Sequence, residues 1–113
     1  MDLFDNFVKS PIAFHKSGVY YTDTIGRRVR LRKGMKHITL QFYKGREHVH
    51  TLRLDNPSIT APTKKEVGSL SIWETTLYDK GGDYDKDCGF PIYSKTRAEA
   101  REINRKLRET FAL

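Results

Sequence analysis

From about residue 14 to residue 54, apolar and polar positions alternate, and β-branched and aromatic residues cluster between short breaks. Val19-Tyr20-Tyr21-Thr22, Val29 to Arg32, His37 to Tyr43 and His48 to Leu54 read as strands, parted at Gly18, Gly26, Lys33-Gly34 and Lys44-Gly45-Arg46. Breaks this short favour an antiparallel meander. The third run shows the period most plainly: Ile38, Leu40 and Phe42 share one face, and His37, Thr39, Gln41 and Tyr43 the other. A sheet with one face on a core and one in water requires that alternation.

The ends read differently. Leu3, Phe4, Phe7 and Val8 recur at helical spacing and predict a short amphipathic helix over 2–9, stopped by Ser10-Pro11. Asp55-Asn56-Pro57-Ser58 is a break, and 59–68 reads as a loop or one weak helical turn. Ser69 to Tyr78 has the Thr, Ile, Trp and Tyr content of a strand. Asp79 to Gly89 is an acidic loop, and Phe90 to Tyr93 a short edge strand that tolerates Pro91.

Thr96 and Glu99 make a capping box that opens a C-terminal helix. At about 100° per residue, Ala100, Ile103, Leu107 and Phe111 form its apolar face. Arg97, Arg101, Arg105 and Arg108 form a basic stripe beside it, and Glu99, Glu102, Lys106 and Glu109 a mixed third face. The expected fold is α+β, a single domain over 1–113. It has one antiparallel sheet of four to six strands, the C-terminal helix packed on one face, and the short N-terminal helix. Phe42 and Trp73 are its expected core aromatics, with Ile38, Leu40, Ile103, Leu107 and Phe111.

Composition sets the scale of that core. Hydrophobic residues are 37% and charged residues 31% of the chain, which limits it to a small core. Six Tyr, six Phe and one Trp offset the shortage of aliphatics, since each ring buries a large area. Cys88 is the only cysteine, so no intramolecular disulfide forms, as in a reducing compartment. Acids at Asp2 and Asp5 stand where a signal peptide needs basic residues, and no run approaches the ~20 apolar residues of a membrane span. The expectation is a cytoplasmic protein with no membrane partner.

Charge changes the picture most. Nine of the 21 basic residues fall between Arg27 and Arg53, a stretch with a single acid, Glu47. A field this local selects for phosphates, an acidic protein surface or, third, an anionic membrane, which residues 2–9 are too short and too flanked by acids to serve. In a strand, Arg28, Arg30 and Arg32 point the same way, about 6.6–7 Å apart, close to the phosphate repeat of a nucleic-acid strand. Arg27, Lys33, Lys36, Lys44 and Arg46 widen the field from the turns, and Tyr43 is placed to stack on a base. Tyr20 joins that face if its register permits. A ladder of this kind also serves as a solvated face that discourages aggregation.

Other constellations are weaker. His48-Val49-His50 puts two imidazoles on one strand face, but no third ligand is tied to them by spacing. Asp83-x-Asp85-x-Asp87 opens like a calcium loop, yet Cys88 stands where glycine is needed and Ser94 where the closing Glu should be. No phosphate loop, nucleophile elbow or HExxH occurs. A non-enzyme without cofactor or bound metal is expected. The acidic loop is a further candidate to fold over the basic face and compete with an anionic ligand.

The stretch from Trp73 to Leu107, with WETTLYD, a Gly/Asp loop and YSKTRAEAREINRKL, resembles the C-terminal part of small accessory proteins encoded by bacteriophages and prophages. The resemblance implies a protein that handles nucleic acid, or that binds and redirects a host protein, in the host cytoplasm. The residues favour non-catalytic nucleic-acid binding, single-stranded or duplex, with little sequence specificity. The alternative is docking on an acidic host protein, and the helical arginines are a second basic surface for either.

Overall fold

A computed structural model describes residues 10–15, 18–22, 27–68, 70–85 and 87–113, with only the backbone of Ser10, Pro11 and Val67. The helix expected over 2–9 lies outside these residues. The described chain runs β1 (Ser10–His15), β2 (Gly18–Thr22), β3 (Arg28–Lys33), β4 (Ile38–Lys44) and β5 (Glu47–Leu54). It continues through β6 (Pro57–Ile59), β7 (Thr63–Val67), β8 (Leu70–Asp79) and β9 (Phe90–Ser94) to the helix α1 (Arg97–Phe111).

The first five strands form an antiparallel meander in sequence order, of which the alternation and short breaks predicted β2 to β5. Gly45, at φ 63°, is the first central residue of the two-residue turn between Lys44 and Glu47, where a side chain would be strained. The remaining four strands form a second sheet, not extra strands of the first. Its long central strand β8 pairs with β6 and β7 end to end along one edge and with β9 along the other. The expectation of one sheet of four to six strands is corrected on this point.

Within 59–68 the loop expectation is also corrected: Ile59 ends β6 and Thr63–Val67 form β7. Gly68, at φ 61°, turns β7 back onto β8. Thr63, Lys64, Lys65 and Glu66 are exposed on both faces of β7, so no apolar alternation marks the strand. β1 was hidden for another reason: Ser10-Pro11 reads as a helix stop, whereas here it opens an edge strand, a place that tolerates proline.

One core lies between the layers. Val19, Tyr21, Val29, Leu31, Ile38, Leu40, Phe42 and Leu54 come from the inner face of the first sheet. Ile59, Ile72, Leu77 and Ile92 come from the second sheet, and Leu107 and Phe111 from α1. Phe90 stands edge-on to both Tyr21 and Phe42, at 5.9 Å in each case, and joins the two sheets. Trp73, expected in the core, is only half-buried, with the Arg97 guanidinium 5.9 Å above its ring.

The helix starts and ends where its caps dictate. Thr96 Oγ1 accepts from the Glu99 N–H at 3.1 Å, and Glu99 Oε2 accepts from the Lys95 N–H at 3.2 Å. Ala112, in the left-handed region at φ 55°, closes the last turn. Burial of a side chain such as Leu107 contributes about 1.5–3 kcal/mol, which fixes α1 against the inner side of the fold. Among the described residues, no helix is long and apolar enough to cross a membrane.

Candidate nucleic-acid interface

The burial alternation of β3 settles the direction of its arginines. Val29 and Leu31 are fully buried, so Arg28, Arg30 and Arg32 stand on the opposite, outer face. Register then builds the face outward. Arg28 lies opposite Thr22 on β2 and Tyr43 on β4. Arg30 lies opposite Tyr20 and Gln41, and Arg32 opposite Thr39. On β5, His48, Thr51 and Arg53 follow beside Tyr43, Gln41 and Thr39, and on β1 Ala13 follows beside Tyr20. None of these described outer positions carries a carboxylate.

The turns extend the track at both ends. Lys33 and Lys36 are exposed at the β3–β4 turn, beyond Arg32, and Lys44 and Arg46 at the β4–β5 turn, beside Arg28. The Arg28 guanidinium donates to the Gly45 carbonyl, which holds it over that turn. Among the described residues, Arg28, Arg32, Lys33, Lys36, Lys44 and Arg46 take part in no salt bridge. A basic line thus follows β3 for roughly 20 Å, six residues at about 3.3 Å each. That length spans three successive phosphates of an extended strand at the spacing of the ladder.

Aromatic rings flank this line. Tyr43 and His48 have ring centroids 5.4 Å apart, and Tyr20 and His15 5.7 Å apart. The Arg30 guanidinium sits 5.8 Å from the centre of the Tyr20 ring. A groove of about 270 Å³ lies elsewhere, between the sheets, lined by Phe42, Leu52, Phe90 and Tyr84 among others. Comparison with known proteins adds nothing to this geometry. No protein-family model, no curated protein and no solved structure matches the chain.

Several expected site residues fall outside the track. Arg27 precedes β3 by one residue, and its guanidinium lies 5.0 Å over the ring of Phe42, in the groove between the sheets. A shift of one position in an extended chain reverses the face, so Arg27 does not extend the ladder. The acidic loop is also on this side: Tyr84 and Cys88 line the same groove. Within the loop, Asp85 Oδ1 accepts from the backbone N–H of Asp87 at 3.0 Å and of Cys88 at 3.1 Å, a local turn bond.

The histidine pair is split by a β-bulge. The pairing of β4 with β5 shifts between Phe42 and Tyr43, so His50 lies opposite Phe42 and His48 opposite Tyr43. Val49 is the extra residue. His50 therefore turns toward the core side, and its ring lies 5.9 Å from that of Phe42. His48 turns to the outer face, where its Nε2 lies 2.6 Å from Thr51 Oγ1.

The helical arginines are occupied within the fold. Arg105 forms ion pairs with Glu102 at 2.5 Å and Glu109 at 2.7 Å, which raises its own pKa and lowers that of Glu102. Arg108 donates to Asn104 Oδ1 at 2.8 Å and to the Ile59 carbonyl at 3.4 Å. Arg97 covers Trp73. Arg101 alone of the four is exposed without a described partner. α1 packs on the inner side through Leu107 and Phe111, and the groove that Arg32 and Lys33 share with it is lined on the helix by Thr110 and Phe111, not by the arginine stripe.

A polar cluster on the second sheet has its own electrostatics. Lys65 Nζ meets Glu74 Oε2 at 3.0 Å, and that bond raises the lysine pKa. Partial burial, then the Glu74 charge, raises the Tyr93 phenol. The Tyr93 N–H also donates to Tyr21 Oη at 3.3 Å, a bond between the sheets. That last bond ties the layers together. Tyr20, His15, Thr22 and Arg53 are members of the outer face that sequence reasoning left out or left open. Cross-strand register identifies them, and a single strand does not carry that signal.

Proposed function

We propose that the protein binds nucleic acid without catalysis and with little sequence specificity, through the outer face of the five-stranded sheet. One observation carries the reading: the face lines up Arg28, Arg30 and Arg32 along one strand, and the carboxylate described beside it, Asp55, is held by Arg53. Arg28, Arg30 and Arg32 contact successive phosphates, and Lys33, Lys36, Lys44 and Arg46 extend the field. Guanidinium forks suit phosphate oxygens. Phosphate contacts hold a strand in place without reading its sequence.

The test is fluorescence anisotropy with labelled oligonucleotides at several salt concentrations. Three neutralised phosphates give a log–log salt slope of about −2.1 on a single strand and about −2.7 on a duplex. Joint replacement of Arg28, Arg30 and Arg32 by Glu is expected to abolish binding while circular dichroism stays unchanged. Absence of binding by the wild-type protein at low salt overturns the reading and directs the same basic face to an acidic protein partner.

A further inference from the structure

The outer face carries more than charge. A cleft of about 600 Å³ opens in it, lined by Ala13, Tyr20, Thr22, Arg28, Arg30 and Tyr43 among its residues. Two half-buried tyrosines stand on opposite sides of β3, Tyr20 on β2 and Tyr43 on β4. Each has a histidine ring beside it, His15 for Tyr20 and His48 for Tyr43. Each also has an arginine directly across from it, Arg30 for Tyr20 and Arg28 for Tyr43. The cleft is therefore walled by aromatic rings and floored by guanidinium groups.

That chemistry matches a nucleotide with its base unstacked. The two tyrosines lie two interstrand spacings apart across the sheet, about 9.5 Å, and two residues apart along it, about 6.8 Å, which puts their backbones about 12 Å apart. Each ring is therefore its own platform, on which a base stacks at roughly 3.4 Å. A purely phosphate-binding surface has no use for apolar walls. A duplex keeps its bases inside the stack, where neither tyrosine reaches a π-face. We infer that the cleft accepts an unpaired nucleobase, so that the protein prefers single-stranded nucleic acid with exposed bases over duplex. The inference rests on the phosphate-binding role of the Arg28–Arg32 ladder proposed above.

Register explains how the two parts act together. Arg28 and Arg30 are two residues apart on one strand, and their tyrosine neighbours fall on opposite sides. Phosphates held on the arginines leave the base between them free to lean into the cleft. Stacking on a tyrosine ring tolerates any base, since each has a π-face. The preference is for single-strandedness and not for sequence.

The test compares three probes: a twelve-nucleotide oligothymidylate, the same backbone made entirely of abasic sites, and a duplex of equal length. It is run with deoxy and ribo oligomers, on the wild type and on Tyr20→Leu/Tyr43→Leu. The expected result is a preference of about 5- to 150-fold per stacked base for the oligothymidylate over the abasic strand. The double variant loses that preference and keeps the abasic affinity and its salt slope. Tyr20→Phe/Tyr43→Phe retains it, which separates stacking from any structural role of the hydroxyls. Equal affinity for all three probes, unchanged in the leucine variant, overturns the cleft and leaves the ladder standing. No binding to any probe overturns both.

Discussion

Two surfaces of this molecule each carry four arginines, in different surroundings. The outer face of the first sheet carries Arg28, Arg30, Arg32 and Arg53, and the helix carries Arg97, Arg101, Arg105 and Arg108. On the helix, Arg105 lies between two glutamates, Arg108 bonds to the Ile59 carbonyl and Arg97 covers Trp73. Those guanidiniums hold α1 to itself and to the second sheet. On the sheet, Arg53 pairs with Asp55 at 2.6 Å, and Arg28 and Arg32 take part in no salt bridge among the described residues. Charge counted along a sequence is therefore not charge available to a ligand. The local period decides the difference: in a helix, glutamates three and four residues away reach an arginine, whereas along a strand the nearest same-face neighbours of Arg30 are two more arginines.

The comparison is tested most strongly through the packing that backs the helix. Leu107→Ala removes a fully buried side chain. It is expected to cost about 2–5 kcal/mol of stability in a denaturant titration, with oligonucleotide affinity unchanged in the fraction that stays folded. A fall in affinity under native conditions would mean that the helix belongs to the binding surface.

A finer test matches one arginine from each surface. Arg32→Gln is expected to flatten the log–log salt slope by about 0.7 on a single strand, the share of one phosphate contact. Arg101→Gln, on the exposed helix face, is expected to leave the slope unchanged. Equal effects would show a diffuse field in place of a ladder.

The smallest effect concerns the second sheet. Tyr93 and Lys65 both have pKa values raised in the folded state, Tyr93 chiefly by burial and Lys65 by its bond to Glu74. A folded-state pKa raised above the unfolded one gives stability that is complete below the unfolded value and lost as pH rises through the folded value. Melting temperature is thus expected to decline at alkaline pH, above about 10 for these side chains. Tyr93→Phe is expected to soften that decline without touching affinity at neutral pH.

Much of the fold was legible in the sequence because its signals are local. The alternation in Ile38-Thr39-Leu40-Gln41-Phe42, the glycine at position 45 and the Thr96 cap each act over a few residues, and each sits where expected. The second sheet was not legible, because β6 and β7 owe their strand character to β8 and not to their own side chains. The candidate site divides in the same way. The direction of Arg28, Arg30 and Arg32 follows from the buried Val29 and Leu31 between them. The placement of Tyr20 beside Arg30, the reversal of Arg27 and the bulge at Val49 that parts His48 from His50 depend on register and on how one strand meets the next. Pairing of that kind leaves little trace in a single chain.

The most direct test of the central claim is a backbone amide NMR titration of the protein with a short single-stranded oligonucleotide. The predicted result is a cluster of shifts over β2, β3 and β4, centred on Tyr20, Arg28, Arg30, Arg32 and Tyr43, with α1 silent. Shifts centred on Arg97, Arg101 and Arg105, or on the groove beside Arg27 and Tyr84, would contradict it.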